Sequence, residues 1–330
     1  MNICIFGSGA IGSYIGALLH KNKINVSLIC RGNHLKVIKN KGLLMQSAES
    51  NEEYFCKPEA SDNPSDFKKQ DVVIVTLKAH SAALTAKMLS PLLKENTIVV
   101  SAVNGLPWWY FYKSNDKFEN FKLKSVDPKN LQWDYIKPER AMGCVVYPAA
   151  EIKKPGFVYH MEGDRFPIGE PSGEISDRAK NLSNILIESG LKSPVRKNIR
   201  SDIWMKLWGN LAFNPISALT GETLEDIANN KKSCATVRKM MIEGQNVAEA
   251  LGIKFSISLE KRIDGTRKVG AHKTSTLQDL ELGRPMEIDA LTKSVSEAGK
   301  IVGIPTPTID KIYEEVKNLA IKSGCYIDSN

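Results

Sequence analysis

The chain has 330 residues, a formal net charge of +8, and 42% hydrophobic against 25% charged residues. That length supports two domains with a full core, and the composition excludes a disordered or collagen-like chain. The excess charge is lysine spread along the sequence, with no basic block and no aromatic-basic repeat. A nucleic-acid partner is therefore not expected, whereas an anionic small molecule suits such a field.

Residues 2–6, NICIF, read as a short apolar strand, followed by Gly7-Ser8-Gly9-Ala10-Ile11-Gly12 and a helical pattern to about Asn22. A second strand, NVSLIC, is expected at 25–30. This is G-x-G-x-x-G in the strand–turn–helix context that dinucleotide binding requires. One glycine permits the turn, the second lets a pyrophosphate approach the backbone, and the third lets helix pack on strand. The same start resembles a signal peptide in its apolarity, but it lacks a basic leading segment. No apolar run is long enough to span a bilayer, so no membrane association is expected. The cysteines Cys4, Cys30, Cys56, Cys144, Cys234 and Cys325 form no C-x-x-C pair. They read as free thiols in a reducing cytoplasm, with neither disulfides nor zinc.

Where NAD-binding sequences usually carry an acid after the second strand, this chain has Cys30-Arg31-Gly32-Asn33. An arginine suits a ribose 2′-phosphate, which points to NADP(H). Further strands are expected in DVVIVTLK (71–78), TIVVSAVNG (97–105) and AMGCVVYPA (141–149), giving a doubly wound sheet. Ligands of such sheets lie at the carboxyl ends of strands. Lys78 and Asn104 fall there, as ligand contacts or as plain loop residues.

The stretch 191–202, LKSPVRKNIRSD, reads as a junction. Domains are therefore expected at 1–197, binding NADP, and at 198–330, helical. Helical patterns cover about 201–214, 222–229, 233–251, 256–270, 286–302 and 308–322, with Pro215 expected to end or kink the first. In that first helix Lys206, Asn210 and Asn214 recur every four residues and so share one face among tryptophans and leucines. A buried lysine is costly without a partner, which marks this face. In 271–293, Ser275 with Gln278 fits a capping box, Pro285 fits a first turn, and Glu287 and Asp289 suit a helix start. Each has an adequate structural explanation taken singly. With five histidines and no ligand-like spacing, no metal site is expected.

Taken together, G-x-G-x-x-G with Arg31, TLKA (76–79), NG (104–105), KLWGNLAFNP (206–215) and STLQDLELGRPMEID (275–289) resemble the ketopantoate reductase family. The resemblance implies a Rossmann-type domain followed by an all-α domain, and NADPH-dependent reduction of a 2-oxo acid. It implies that Lys206 donates the proton, and that Asn104, Asn210, Asn214 and Ser275 hold the substrate. Glu287 is implied near the substrate hydroxyl and the nicotinamide ribose, Lys78 beside the cofactor, and a homodimer as the assembly. The chemistry asks for these types independently. Hydride addition builds negative charge on the carbonyl oxygen, which an ammonium stabilises and protonates while neutral amides orient the carboxylate.

Two stretches depart from the family pattern. The segment 106–140 is longer than usual and aromatic, expected as a lid or subunit contact, with a satellite core as the alternative. VVYPAA (145–150) replaces a threonine-rich stretch. The expected substrate is ketopantoate, with another 2-oxo acid as the alternative. A non-catalytic NADP(H) sensor is the rival of a different class, which has no need of a proton donor.

Overall fold

The computed structural model describes residues 1–114 and 116–328. In chain order the first elements are β1 (Asn2–Phe6), α1 (Ala10–Lys21), β2 (Asn25–Ile29), α2 (Gly32–Lys41), β3 (Leu43–Ser47), β4 (Glu53–Cys56) and β5 (Glu59–Ser61). They continue with β6 (Val72–Val75), α3 (Ala79–Leu84), β7 (Ile98–Ser101), α4 (Leu131–Ile136) and β8 (Ala141–Cys144). Next come β9 (Ala149–Lys154), β10 (Phe157–Glu162), β11 (Ile168–Gly169) and α5 (Asp177–Glu188).

Seven of these strands form one sheet in the order β11-β8-β7-β6-β1-β2-β5. All neighbours pair in parallel except β11, which runs antiparallel to β8. Parallel strands are covered on both faces, hence their continuous apolar runs. Ile3, Cys4 and Ile5 of β1 and Val72, Val73 and Ile74 of β6 are fully buried. The order from β5 to β8 reverses beside β1, the switch point at which dinucleotides bind in this architecture.

A second, four-stranded sheet has the order β4-β3-β10-β9. Helix α1 packs between the two sheets. Its Gly16 abuts Leu28 and Ile5 of the large sheet, while Tyr14 stacks on His160 of β10 at 4.2 Å and His20 bonds Tyr54 of β4. A helix covered on both sides must be apolar all round. That explains the leader-like appearance of the N-terminal sequence.

The remaining helices are α6 (Ile199–Thr220), α7 (Leu224–Asn229), α8 (Lys231–Ala250), α9 (Leu259–Arg267), α10 (Ser275–Glu281), α11 (Ser294–Val302) and α12 (Pro307–Lys322). A short π-helical turn, Asp289–Lys293, leads into α11. The chain divides into two compact units. The first comprises Met1–Val103, Trp109–Asn120 and Asn130–Ile199; the second comprises Asn104–Trp108, Phe121–Lys129 and the chain from Arg200 onward. Among the described residues the second unit has no strand.

Two expectations need correction and one is narrowed. Of the two outcomes expected at Pro215, an end to α6 does not occur, since the helix runs on to Thr220. A proline in a helix interior forfeits one backbone bond at about 3 kcal/mol, but Ile216, Ser217 and Ala218 beyond it are buried, which offsets that loss and lets the helix continue. Ser275 is not a cap: Thr274 is the N-cap, accepting the Leu277 N–H. Nor do Pro285 and Glu287 lie in a helical first turn. The Met286 N–H bonds Cys325 O at 2.9 Å, and the chain becomes helical only at Ile288.

Part of the aromatic segment 106–140 packs as core in the first unit. Trp109, Tyr110 and Phe111 are at most 2% exposed. The Trp109 indole N–H bonds Ser101 Oγ at the end of β7, and its ring lies over Gly143 of β8. In the second unit, the Glu297 carboxylate accepts the Lys124 and Ser125 N–H groups at 2.8 and 2.9 Å.

Candidate active site

In the first unit the loop after β1 is shaped for a phosphate. Gly7 adopts φ +109°, and the Gly7 and Ser8 N–H groups both bond Ile29 O at the end of β2. A side chain on Gly12 would strike Gly7 O and Thr76 Oγ1 at 2.6 Å, whereas at Gly9 nothing lies nearer than 4.0 Å. The open face at Gly9 is the approach a pyrophosphate needs. Ala10, Ile11 and Gly12 open α1, which has no side-chain cap and no acid in its first turn. Its first N–H groups therefore point outward with the positive end of the helix dipole. These features fit a dinucleotide.

Ser8 is buried and its hydroxyl bonds that of Ser13 at 2.9 Å; Ser13 Oγ also meets His34 Nε2 at 3.0 Å. His34 Nδ1 accepts the Gly156 N–H, and burial holds this imidazole below its ordinary pKa. Arg31 occupies the extended N-cap position of α2, exposed, and its side chain makes no hydrogen bond among the described residues. Lys78 is the half-buried N-cap residue of α3, just past β6.

The second unit brings together residues far apart in sequence. Lys206 on α6 donates from Nζ to Asn104 Oδ1 at 2.8 Å, 102 residues away. Asn104 donates from Nδ2 to Glu287 Oε2 at 3.2 Å, 183 residues away. An ammonium only donates and a carboxylate only accepts, so this pair fixes which way the amide faces. Such close approach depends on Gly105, where a Cβ would lie 2.1 Å from Ala290 O. Glu287 is 7% exposed, and a buried carboxylate requires such a partner.

One turn along α6, Asn210 is half-buried and its side chain makes no hydrogen bond among the described residues. Asn214 is buried and donates to Thr276 Oγ1 at 3.2 Å and to the exposed Ser275 Oγ at 3.4 Å. Thr276 was missed by the sequence reading, though the run Thr274-Ser275-Thr276 offered three hydroxyls at one helix start. Among the described residues no cluster of three His, Cys, Asp or Glu could hold a metal, and no helix is long and apolar enough to cross a membrane. All six cysteines are free.

A doubly wound dinucleotide-binding unit and a helical unit gathering a lysine, amides and a carboxylate define an NAD(P)-dependent oxidoreductase. The family models for "Ketopantoate reductase PanE/ApbA" and for its C-terminal region match residues 3–173 and 198–320. The 2-dehydropantoate 2-reductase of Mesorhizobium japonicum is 47% identical, over 99% of this chain and 100% of that protein. A crystal structure of a protein from Ralstonia solanacearum MolK2, assigned as a ketopantoate reductase, is 35% identical with TM-score 0.93, covering 98% of this chain and 99% of its own. More distantly, D-mandelate dehydrogenase with NADH and anilino(oxo)acetate is 22% identical with TM-score 0.82, covering 98% and 99%, and shares the fold. The chain belongs to the ketopantoate reductase family.

Proposed function

We propose that this protein reduces 2-dehydropantoate (ketopantoate) to pantoate with NADPH, in pantothenate and coenzyme A synthesis. The observation that carries the reading is the Lys206–Asn104–Glu287 network, which links a proton donor to a carboxylate through one oriented amide. Residues 1–197 serve as the NADP-binding domain and 198–330 as the helical substrate domain, a division supported by the spans of the two family models.

Bound NADPH supplies the hydride for the C2 carbonyl. Lys206 donates its Nζ proton to the carbonyl oxygen, and solvent returns that proton; NADPH, one proton and the oxo acid give NADP⁺ and the hydroxy acid. Asn104 holds the ammonium in place beforehand, so little reorganisation is needed as charge develops. Asn210, Asn214 and Ser275 orient the carboxylate and oxygens of the substrate. Glu287 accepts from a substrate hydroxyl and from the nicotinamide ribose, and Asn104 and Lys78 also border the cofactor. The backbone of Gly7, Ser8, Gly9, Ala10, Ile11 and Gly12 receives the pyrophosphate, and Arg31 the 2′-phosphate, which favours NADP(H) over NAD(H). The family pattern supports a cytoplasmic homodimer.

A second reading, the same chemistry on another 2-oxo acid, is favoured by the unusual segment that begins directly after Asn104-Gly105. NADPH oxidation by the purified protein against a panel of 2-oxo acids tests both. Turnover of ketopantoate above the others supports the first; its absence beside good turnover of another acid selects the second.

A further inference from the structure

The segment carrying Glu287 is held from behind by the end of the chain. Helix α12 stops at Lys322, Gly324 turns back with φ +66°, and Cys325 re-enters the core, its N–H on Ala320 O and its carbonyl on the Met286 N–H. Met286, Ile288 and Cys325 are buried in one apolar cluster with Ala218, Tyr313, Val316 and Ala320. Two residues beyond Glu287, the Asp289 carboxylate accepts the Tyr313 hydroxyl at 2.6 Å on one oxygen and the Tyr326 hydroxyl at 3.0 Å on the other.

Glu287 is thus flanked by two anchors, Met286 and Asp289, and both reach the C-terminal residues. Apolar packing alone would allow this segment to slide, whereas hydrogen bonds to a carboxylate are directional and comparatively strong. Asp289 also opens the π-helical turn, an irregularity of the kind often found at functional sites. Burial, and then the Asp289 charge, push the Tyr326 hydroxyl up to about 12 and raise Tyr313 further, so both remain protonated donors at working pH.

We infer that Tyr326 is a positioning residue: together with Cys325 it straps the 286–289 segment so that the Glu287 carboxylate meets Asn104, and through it Lys206. This rests on the role proposed above for Glu287. The hydroxyl of Tyr326 bonds Asp289 and so fixes the backbone from which Glu287 projects.

The test is Tyr326→Phe, which keeps the ring and its burial and deletes one donor, alone and combined with Glu287→Gln. A small displacement of a reacting group costs up to about a hundredfold, and here kcat/KM for ketopantoate is expected to fall about tenfold. NADPH affinity should fall no further than in Glu287→Gln, since Glu287 is the group through which the strap reaches the nicotinamide ribose. In the Glu287→Gln background the Tyr326→Phe change should cost nothing more, because the group it positions is already altered. An unchanged kcat/KM in Tyr326→Phe beside an impaired Glu287→Gln enzyme overturns the strap alone. A fully additive double variant, or a loss of NADPH affinity beyond that of Glu287→Gln, also overturns it by showing a general structural role. Wild-type activity in Glu287→Gln refutes the role of Glu287 and the strap with it.

Discussion

Replacing Lys206 with alanine removes the ammonium and puts the best helix former at a half-buried position of α6. Folding should therefore survive, and the loss should fall on chemistry. A positioned general acid contributes about 10²–10⁴-fold in rate. That corresponds to about 2.7–5.4 kcal/mol of barrier, at 1.36 kcal/mol for each tenfold. The 2.8 Å bond from Nζ to Asn104 Oδ1 also disappears. The amide is then free to turn, and Glu287 loses its oriented donor, which pushes the expected loss toward the upper end of that range. Lys206→Arg separates charge from proton supply, since a guanidinium keeps the charge but is a far weaker acid; most of the loss should persist. The assay is steady-state kcat from NADPH consumption, alongside NADPH affinity from nucleotide fluorescence. Affinity should be little changed in both variants. A Lys206→Ala enzyme retaining kcat within about tenfold of wild type would refute the proton-donor assignment.

Arg31→Ala should weaken NADPH by about ten- to a hundredfold while barely affecting NADH, as charge-assisted contacts to a 2′-phosphate require; equal effects on both nucleotides would remove Arg31 from that role. His34 titrates below its ordinary value because it is buried, with Nδ1 accepting the Gly156 N–H. The unfolded chain therefore takes up this proton first as pH falls through about 6.5, so stability drops from there toward the lower folded value. Denaturant unfolding at pH 7.5 and 5.5 should show less pH dependence for His34→Gln than for wild type, and identical dependence would contradict the assignment. Trp109→Ala should cost about 3–5 kcal/mol, the penalty for emptying a buried aromatic site, and lower the thermal midpoint by several degrees. An unchanged midpoint would contradict the core role of Trp109.

The large sheet was legible because β1, β2, β6, β7 and β8 are buried on both faces and read as unbroken apolar runs between turn residues. The glycine loop added a signal no ordinary strand carries. The four-stranded sheet was not legible. LLMQS and FVYHME alternate between buried and partly exposed positions, and their parallel pairing joins segments over a hundred residues apart. Periodicity within a short window says nothing about such a partner. In the helical unit the polar face of α6 was visible as spacing, but two local rules misled. Proline's tendency to break a helix gave way to tertiary burial at Ile216–Ala218, and the Ser275–Gln278 spacing hid the true cap one residue earlier. The Asp289–Tyr313–Tyr326 cluster left no local trace, since its members meet only when the chain end folds back.

The central claim is tested most directly by mixing purified protein, NADPH and ketopantoate and following nicotinamide oxidation together with the appearance of pantoate. Stoichiometric conversion with kcat/KM above that for other 2-oxo acids is the expected result. NADPH binding without oxidation by ketopantoate or any other 2-oxo acid would contradict it.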